Sequence, residues 1–202
     1  MNWADYMTID NLIVEVVIGV ALLGLLALGA FMGFRRWRHS RARRQVIKAV
    51  EEISSAALRD IMVPDGSGGH LHLDFLLLTG RGLLVVDLRD VAGVVFGGEH
   101  MREWAVMDGN ERSTFLNPLE SLYDRVAAVR LLAGDVPVEG RIVFTDRGRF
   151  PKGRPPHVSR LGSLAAEFPT PEPGALNAAA DRFRQAWEEI VAQAELSPLA
   201  RR

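Results

Sequence analysis

Two neighbouring segments, residues 71–78 and 83–88, are dominated by apolar residues and carry polar residues at the ends that lie away from each other. Their length and their Leu and Val content are typical of β-strands. Between them, Thr79-Gly80-Arg81-Gly82 predicts a tight turn in which Gly80 supplies the positive φ of a two-residue loop. The pattern therefore predicts a β-hairpin.

The turn fixes which side chains of the hairpin face one another. If Gly80 and Arg81 form the loop, Asp74 lies opposite Asp87, and His72 lies opposite Arg89. Facing side chains have Cβ atoms about 5 Å apart, and two carboxylates at that separation repel each other unless a cation lies between them. This geometry suits a divalent metal ion. The alternative is the margin of a sheet, where Asp74 or Asp87 forms an ion pair with Arg89.

Alternation along each strand divides the hairpin into two faces. One face is predicted to be wholly apolar, with Leu73, Phe75, Leu77, Leu84, Val86 and Leu88. The other is apolar near the turn, with Leu76, Leu78, Leu83 and Val85, and polar at the open end of the hairpin.

Periodicity and punctuation predict the remaining elements. We expect helices over residues 45–57 and 175–195, and strands over 58–63, 91–96, 103–106 and 141–145. Asn117-Pro118-Leu119-Glu120 begins a further helix, because Asn caps and Pro fits the first helical position. The order of elements predicts an α/β (α+β) fold with a central mixed sheet flanked by helices.

The N-terminal part of the chain predicts a membrane anchor. Residues 16–34 are nineteen consecutive uncharged positions, about enough for a helix to span a bilayer. We predict a transmembrane helix at 12–34, with residues 1–11 as an extracytoplasmic N-terminus. Residues 35–48 hold seven Lys or Arg and no acid, which places them and the domain that follows in the cytoplasm. The predicted location is the cell membrane, with one span and with anionic lipid headgroups against the basic segment.

Composition limits the partners of the soluble part. The 202 residues include no cysteine, 24 Lys or Arg and 25 Asp or Glu, so thiolate metal sites are excluded. After subtraction of the seven bases of 35–48 and the three acids of 1–34, residues 49–202 have 17 bases and 22 acids. This part of the chain is therefore net negative, and the basic loop at 141–160 is a local exception. Its candidate nucleic-acid-binding residues are Arg147, Arg149, Lys152 and Arg154, and the alternative is a solvated loop.

The series of segments resembles the NERD (nuclease-related) domain of the PD-(D/E)XK nuclease-like superfamily. The resemblance covers about residues 45–165 and rests on several strings in order, namely Ile61-Met62-Val63-Pro64, His72-Leu73-Asp74-Phe75-Leu76-Leu77, the run from Gly82 to Arg89 with Gly93, Asn117-Pro118, and the run from Val136 to Phe144. It implies a restriction-endonuclease-like central sheet, with a NERD-like domain at 49–165. Residues 166–202 would form a Pro-rich linker and a C-terminal amphipathic helix.

The resemblance also implies roles for three residues. Asp74 matches the family's metal-binding aspartate, Asp87 matches the acid of its Glu-x-Lys element, and Arg89 matches the lysine. In such a site Asp74 and Asp87 would hold Mg²⁺ and Arg89 would stabilise developing charge. No small organic cofactor is implied.

The sequence departs from the family pattern at several of these positions. Glu-x-Lys is Asp87-Leu88-Arg89 here, Ser121 stands where a glutamine usually follows Asn-Pro, and the acid of the first helix is Glu51 or Glu52. Arginine stays protonated and is not equivalent to lysine. Two functions therefore stay open. One is a membrane-anchored, non-catalytic or weakly active module that binds nucleic acid or a protein, and the other is a membrane-tethered, Mg²⁺-dependent nuclease.

Overall fold

The computed structural model describes residue 41 and residues 43–169 and 175–198 of the chain. In these residues the elements follow in the order α1 (43–51), β1 (Ala56–Pro64), β2 (His70–Thr79), β3 (Gly82–Arg89), β4 (Gly93–Phe96), β5 (Glu103–Asp108), β6 (Glu111–Leu116), α2 (Pro118–Ala133), β7 (Val138–Phe144), β8 (Gly148–Arg149), β9 (Val158–Arg160), α3 (Leu161–Glu167), α4 (Ala175–Asp181), α5 (Arg184–Gln193) and β10 (Glu195–Leu196).

The strands form two mixed sheets. The larger has the order β10-β1-β2-β3-β7-β9, in which β7 runs parallel to both β3 and β9 and the other pairs are antiparallel. The smaller has the order β6-β5-β4-β8, with only β4 and β8 parallel. The predicted mixed α/β class is confirmed. Strands β4 and β5 were predicted at 91–96 and 103–106, but their separation into a second sheet was not, and β6 was missed because it is mostly polar and exposed.

Helices cover both faces of the larger sheet. On one face, α2 and α5 contribute Leu122, Val126 and Ile190 to a core that also receives Leu76 and Val85 from the sheet. On the other face, Val50 of α1, Ile53 just after it and Leu164 of α3 pack against apolar residues of β2 and β3. The central strands are buried on both sides, which agrees with their nearly continuous apolar sequence.

Helix α2 begins as predicted. The side chain of Asn117 accepts a hydrogen bond from the backbone N–H of Leu119 at 3.0 Å, and Pro118 is the first helical residue. The helix ends before Gly134, which has a φ of 59°. These boundaries decide which residues of α2 face the larger sheet.

Two predicted helices are wrong in extent. The first ends at residue 51 rather than 57, because the hydroxyl of Ser54 donates to the carbonyl of Glu51 and the backbone of Ser55 joins Leu78 in the sheet. The predicted helix over 175–195 is broken into α4 and α5 at Phe183, and its last residues form β10 against Ile61 and Met62. The buried stripe of this segment is nevertheless partly confirmed, since Ala180, Trp187 and Ile190 are in the core.

The predicted transmembrane helix at 12–34 lies outside the residues that the structure describes. Within residues 43–169 and 175–198, no helix is both long and apolar enough to cross a bilayer. The membrane anchor therefore stays a prediction from the sequence.

Candidate functional site

The hairpin of β2 and β3 has the predicted register near its turn, but the predicted pairs Asp74–Asp87 and His72–Arg89 are not formed. Thr79 pairs with Gly82, and the pairing continues to Phe75 and Val86. The glycine with positive φ is Gly82, at 129°, and not Gly80 as predicted. A Cβ atom at Gly82 would lie 2.3 Å from the carbonyl oxygen of Pro137, so this glycine allows the chain before β7 to approach β3.

Beyond Phe75 and Val86 the two strands separate. Strand β2 stays paired with β1 as far as His70, and β3 stays paired with β7 as far as Arg89. The backbone N–H of Leu88 donates instead to Oδ2 of Asp74 at 2.9 Å. The open end of the hairpin is thus a gap between two strands, with a carboxylate on each side.

Arg125, a residue of α2, enters this gap. Its Nε donates to the carbonyl oxygen of His72 on β2 at 2.7 Å, and one terminal nitrogen donates to Oδ2 of Asp87 on β3 at 2.6 Å. The same nitrogen lies 3.4 Å from the hydroxyl of Ser121, one helical turn earlier. A single guanidinium therefore links the two separated strands to the helix that covers them.

Asp87 is held by two guanidinium groups. Besides Arg125, Arg89 donates to Oδ2 at 2.8 Å, and its Nε lies 2.8 Å from Oδ1. The side chain of Asp87 is only 3 % exposed, whereas Arg89 is 37 % and Arg125 20 % exposed. The alternative expectation, an ion pair between a hairpin aspartate and Arg89, is therefore confirmed. The carboxylate is satisfied by side-chain cations of the protein itself.

Asp74 has a different environment. Its Oδ1 lies 3.5 Å from Nδ1 of His72, and Oδ2 accepts from Leu88. Burial raises the pKa of Asp74, and the negative charge of Asp87 raises it further, against the lowering effect of the Leu88 hydrogen bond. The two aspartates are thus coupled electrostatically, as the hairpin geometry predicted, although they bind different partners.

A third aspartate was missed by the sequence analysis. Asp60 on β1 lies between the pairs Arg59–Phe75 and Ile61–Leu73 and has a φ of 49°, unusual for a residue other than glycine. Its carboxylate is 3.7 Å from Nε2 of His72. Across this irregular position Leu73 packs in the core cluster of Leu76 and not in that of Phe75, so the predicted single apolar face is wrong at Leu73.

The candidate acids of the first helix lie elsewhere. Glu51 pairs with Arg59 at 3.2 Å, and Glu52 lies 3.9 Å from Lys48. In the part of the chain that the structure describes, no group of three or more His, Asp or Glu side chains is arranged to hold a metal ion. The residues present do not fit a Mg²⁺ site in this arrangement, because both oxygens of Asp87 face guanidinium nitrogens.

A cleft of about 1020 Å³ opens beside Arg89 and Ser121. Its acidic side chains are Glu99, Glu120 and Asp124, against the arginines Arg89 and Arg102. A phosphate backbone that entered this cleft would meet more carboxylates than guanidinium groups. The cleft is therefore poorly suited to nucleic acid.

The basic loop does not form one continuous strip. Arg147 pairs with Asp90 at 3.0 Å, Lys152 lies over the ring of Phe96, and Arg154 donates to Ser163 at 2.8 Å. Arg149 is the exposed residue of the short strand β8. Three of the four predicted nucleic-acid-binding residues thus contact different partners within the domain, and Arg149 is exposed.

Arg125 is the functional residue that sequence reasoning missed. It lies on the predicted helix next to Val126, at the edge of the apolar stripe, where a basic side chain is ordinarily solvated. The sequence signal was an arginine on a helix that was expected to cover a hairpin with two facing aspartates.

Comparison with known families agrees with the residues that form this site. The model of the family described as "NERD: Nuclease-related domain" matches residues 38–145, more than half of the chain. The match includes the hairpin and all of α2, and ends after β7. No curated protein and no solved structure matches the chain. The chain belongs to the NERD, or nuclease-related domain, family.

Proposed function

We propose that this NERD protein is a non-catalytic or weakly active module that binds nucleic acid or a protein at the cytoplasmic face of a membrane. The observation that carries the proposal is the ion-pair cluster of Asp87 with Arg89 and Arg125. In a nuclease-type site the acid at this position would bind a metal ion, and here two guanidinium groups contact it.

The positive charges that contact Asp87 support this proposal. A hard cation such as Mg²⁺ needs oxygen ligands in a nearly octahedral arrangement. At Asp87 a cation would have to displace Arg125, whose two hydrogen bonds of 2.6 and 2.7 Å hold it between the strands. Displacement would also leave the carbonyl of His72 without its donor, which adds to the cost.

The acidic cleft supports the same conclusion. Glu99, Glu120 and Asp124 line the route to Arg89, so a polyanionic substrate is repelled where a nuclease would bind it. We therefore place the binding function elsewhere on the domain and give the Asp87 cluster a structural role, namely to join β2, β3 and α2.

The test uses the full-length chain in detergent and measures metal binding and cleavage together. Calorimetry with Mg²⁺ or Mn²⁺ should give no saturable heat, and labelled DNA and RNA should stay intact. Asp74→Asn and Asp87→Asn are the site variants. Asp90→Asn is the matched control, because Asp90 follows β3 directly but pairs with Arg147 on the surface.

The opposite outcome would establish the alternative function. A metal-binding heat that disappears in Asp74→Asn and Asp87→Asn but persists in Asp90→Asn would contradict the non-catalytic proposal. Cleavage with the same dependence would identify a Mg²⁺-dependent nuclease.

The proposed membrane location rests on the nineteen uncharged positions 16–34 and the basic segment after them. The expected result is that the full-length chain stays in the membrane fraction after alkaline carbonate extraction, and that deletion of residues 1–34 releases it. Release of the full-length chain by carbonate would contradict the anchor.

A further inference from the structure

A cavity of about 750 Å³ lies beside strand β8 and the start of helix α3. Three arginines line it, Arg149, Arg154 and Arg160, together with a single acid, Asp146. We propose that this arginine pocket binds a small phosphorylated molecule of about the size of a nucleotide. The inference goes beyond the proposed function and does not depend on whether the Asp87 site cleaves anything.

The three arginines differ in how far the fold already satisfies them. Arg160 pairs with Asp146 at 3.2 Å, and Arg154 donates to the hydroxyl of Ser163 at 2.8 Å and lies 3.7 Å from a carboxylate oxygen of Glu167. In the part of the chain that the structure describes, the side chain of Arg149 has neither an ion pair nor a hydrogen bond. Two of the three lining arginines are thus paired with acids, Arg160 with Asp146 and Arg154 with Glu167, and the guanidinium of Arg149 supplies one uncompensated positive charge with all its donors available.

This excess of charge defines the ligand class. Guanidinium groups bind phosphate oxygens through paired, charge-assisted hydrogen bonds. The domain as a whole has more acids than bases, so a concentration of arginines around one cavity is a local feature. A phosphate group is the ligand that these donors recognise best.

The cavity is larger than a phosphate alone requires, since 300–1,000 Å³ is the usual range for whole small-molecule sites. Part of its lining is apolar, formed by Val94, Phe150 and Pro151. The ring of Phe150 is held edge-on against the buried Phe144 at 5.0 Å between centroids. This wall suits the flat face of an aromatic group attached to the phosphate, such as a nucleotide base.

The pocket is separate from the part of the chain that defines the family. All of its lining residues except Val94 follow residue 145, where the match to the NERD family ends. The pocket is therefore a property of this chain's own C-terminal segment and not of the nuclease-type hairpin.

The experiment titrates inorganic phosphate and then ADP into the full-length chain by calorimetry. We expect both to bind, and ADP to bind more tightly because it also contacts the apolar wall. Arg149→Ala should weaken ADP binding about tenfold, the loss of one charge-assisted contact, and Arg149→Glu should abolish it. Arg147→Ala is the control and should leave binding unchanged, because Arg147 pairs with Asp90 outside the pocket.

Folding is checked independently: the side chain of Arg149 makes no described hydrogen bond or ion pair, and only its backbone pairs with Val94, so its variants should unfold at the same temperature as the wild type. The proposal is overturned if neither phosphate nor ADP binds at millimolar concentration, or if Arg149→Ala and Arg149→Glu bind ADP as the wild type does. It is also overturned if an oligonucleotide binds through Arg149 while ADP does not, because the ligand would then be a nucleic acid.

Discussion

The Asp87 cluster makes a quantitative prediction about the stability of the domain. Arg125→Ala removes one of the two guanidiniums from a carboxylate that is 3 % exposed and leaves the carbonyl of His72 without its donor. Breaking a buried ion pair by removal of one partner costs about 3–5 kcal/mol when the remaining charge has no other partner. Because Arg89 still pairs with Asp87, we expect Arg125→Ala to lower the free energy of unfolding by about 3 kcal/mol, the lower end of this range.

The assay is urea unfolding followed by tryptophan fluorescence, since Trp104 and Trp187 are both in the core. The control is Arg147→Ala, which removes an ion pair whose partners are 60 % and 57 % exposed. A pair that exposed contributes about 0–1 kcal/mol. A double-mutant cycle of Arg125→Ala with Asp87→Asn should give a coupling energy of about 1.5–3 kcal/mol.

Two results would refute this reasoning. If Arg125→Ala cost no more than Arg147→Ala, the guanidinium would not hold the strands together. If the coupling energy were near zero, the loss would come from the hydrogen bond to the carbonyl of His72 or from packing of the arginine stem, and not from the ion pair with Asp87. A gain of stability on addition of Mg²⁺ to Arg125→Ala, absent in the wild type, would show that the gap accepts a metal ion once the arginine is gone.

Three further predictions concern the fold around the site. Burial raises the pKa of Asp74 above its ordinary 3.8, so the folded protein keeps the proton of Asp74 to a higher pH than the unfolded chain does. The free energy of unfolding should therefore fall as the pH rises from 3.8 through the raised pKa. Asp74→Asn should remove this fall when unfolding is measured against pH. Gly140→Ala should destabilise the domain by about 1–3 kcal/mol in urea, because its Cβ would lie 2.6 Å from Val126. Trp187→Ala should lower the free energy of unfolding by about 3–5 kcal/mol in the same assay, since this side chain of α5 is buried in the core on the larger sheet. Unchanged stability would show that α5 adds nothing to the core.

Local signals explain what the sequence predicted well. The register of the hairpin follows from a short turn between two apolar runs, and the start of α2 follows from Asn117 and Pro118. Each depends on interactions between residues that are close together in the chain, so a short stretch of sequence is enough to predict it. For the same reason Asp74 and Asp87 were recognised as an interacting pair before their partners were known.

The missed features depend on contacts between distant residues. The break at Phe183 interrupts a continuous apolar stripe, and β10 forms only because the end of the tail reaches β1. Arg125 binds a backbone carbonyl that is available only where β2 and β3 separate. No side-chain pattern along the chain records that separation, so the sequence alone predicted the two aspartates and not the cation between them.

The separation of β2 from β3 has an evolutionary consequence. The gap is made by strands that follow different neighbours, β1 on one side and β7 on the other, and Arg125 fills it from a third element. The backbone that opens the gap and the side chain that occupies it therefore belong to different elements of the fold. A substitution at position 125 of α2 would change the group between β2 and β3 without changing the pairing of either strand in the sheet, and the reverse substitution would restore it.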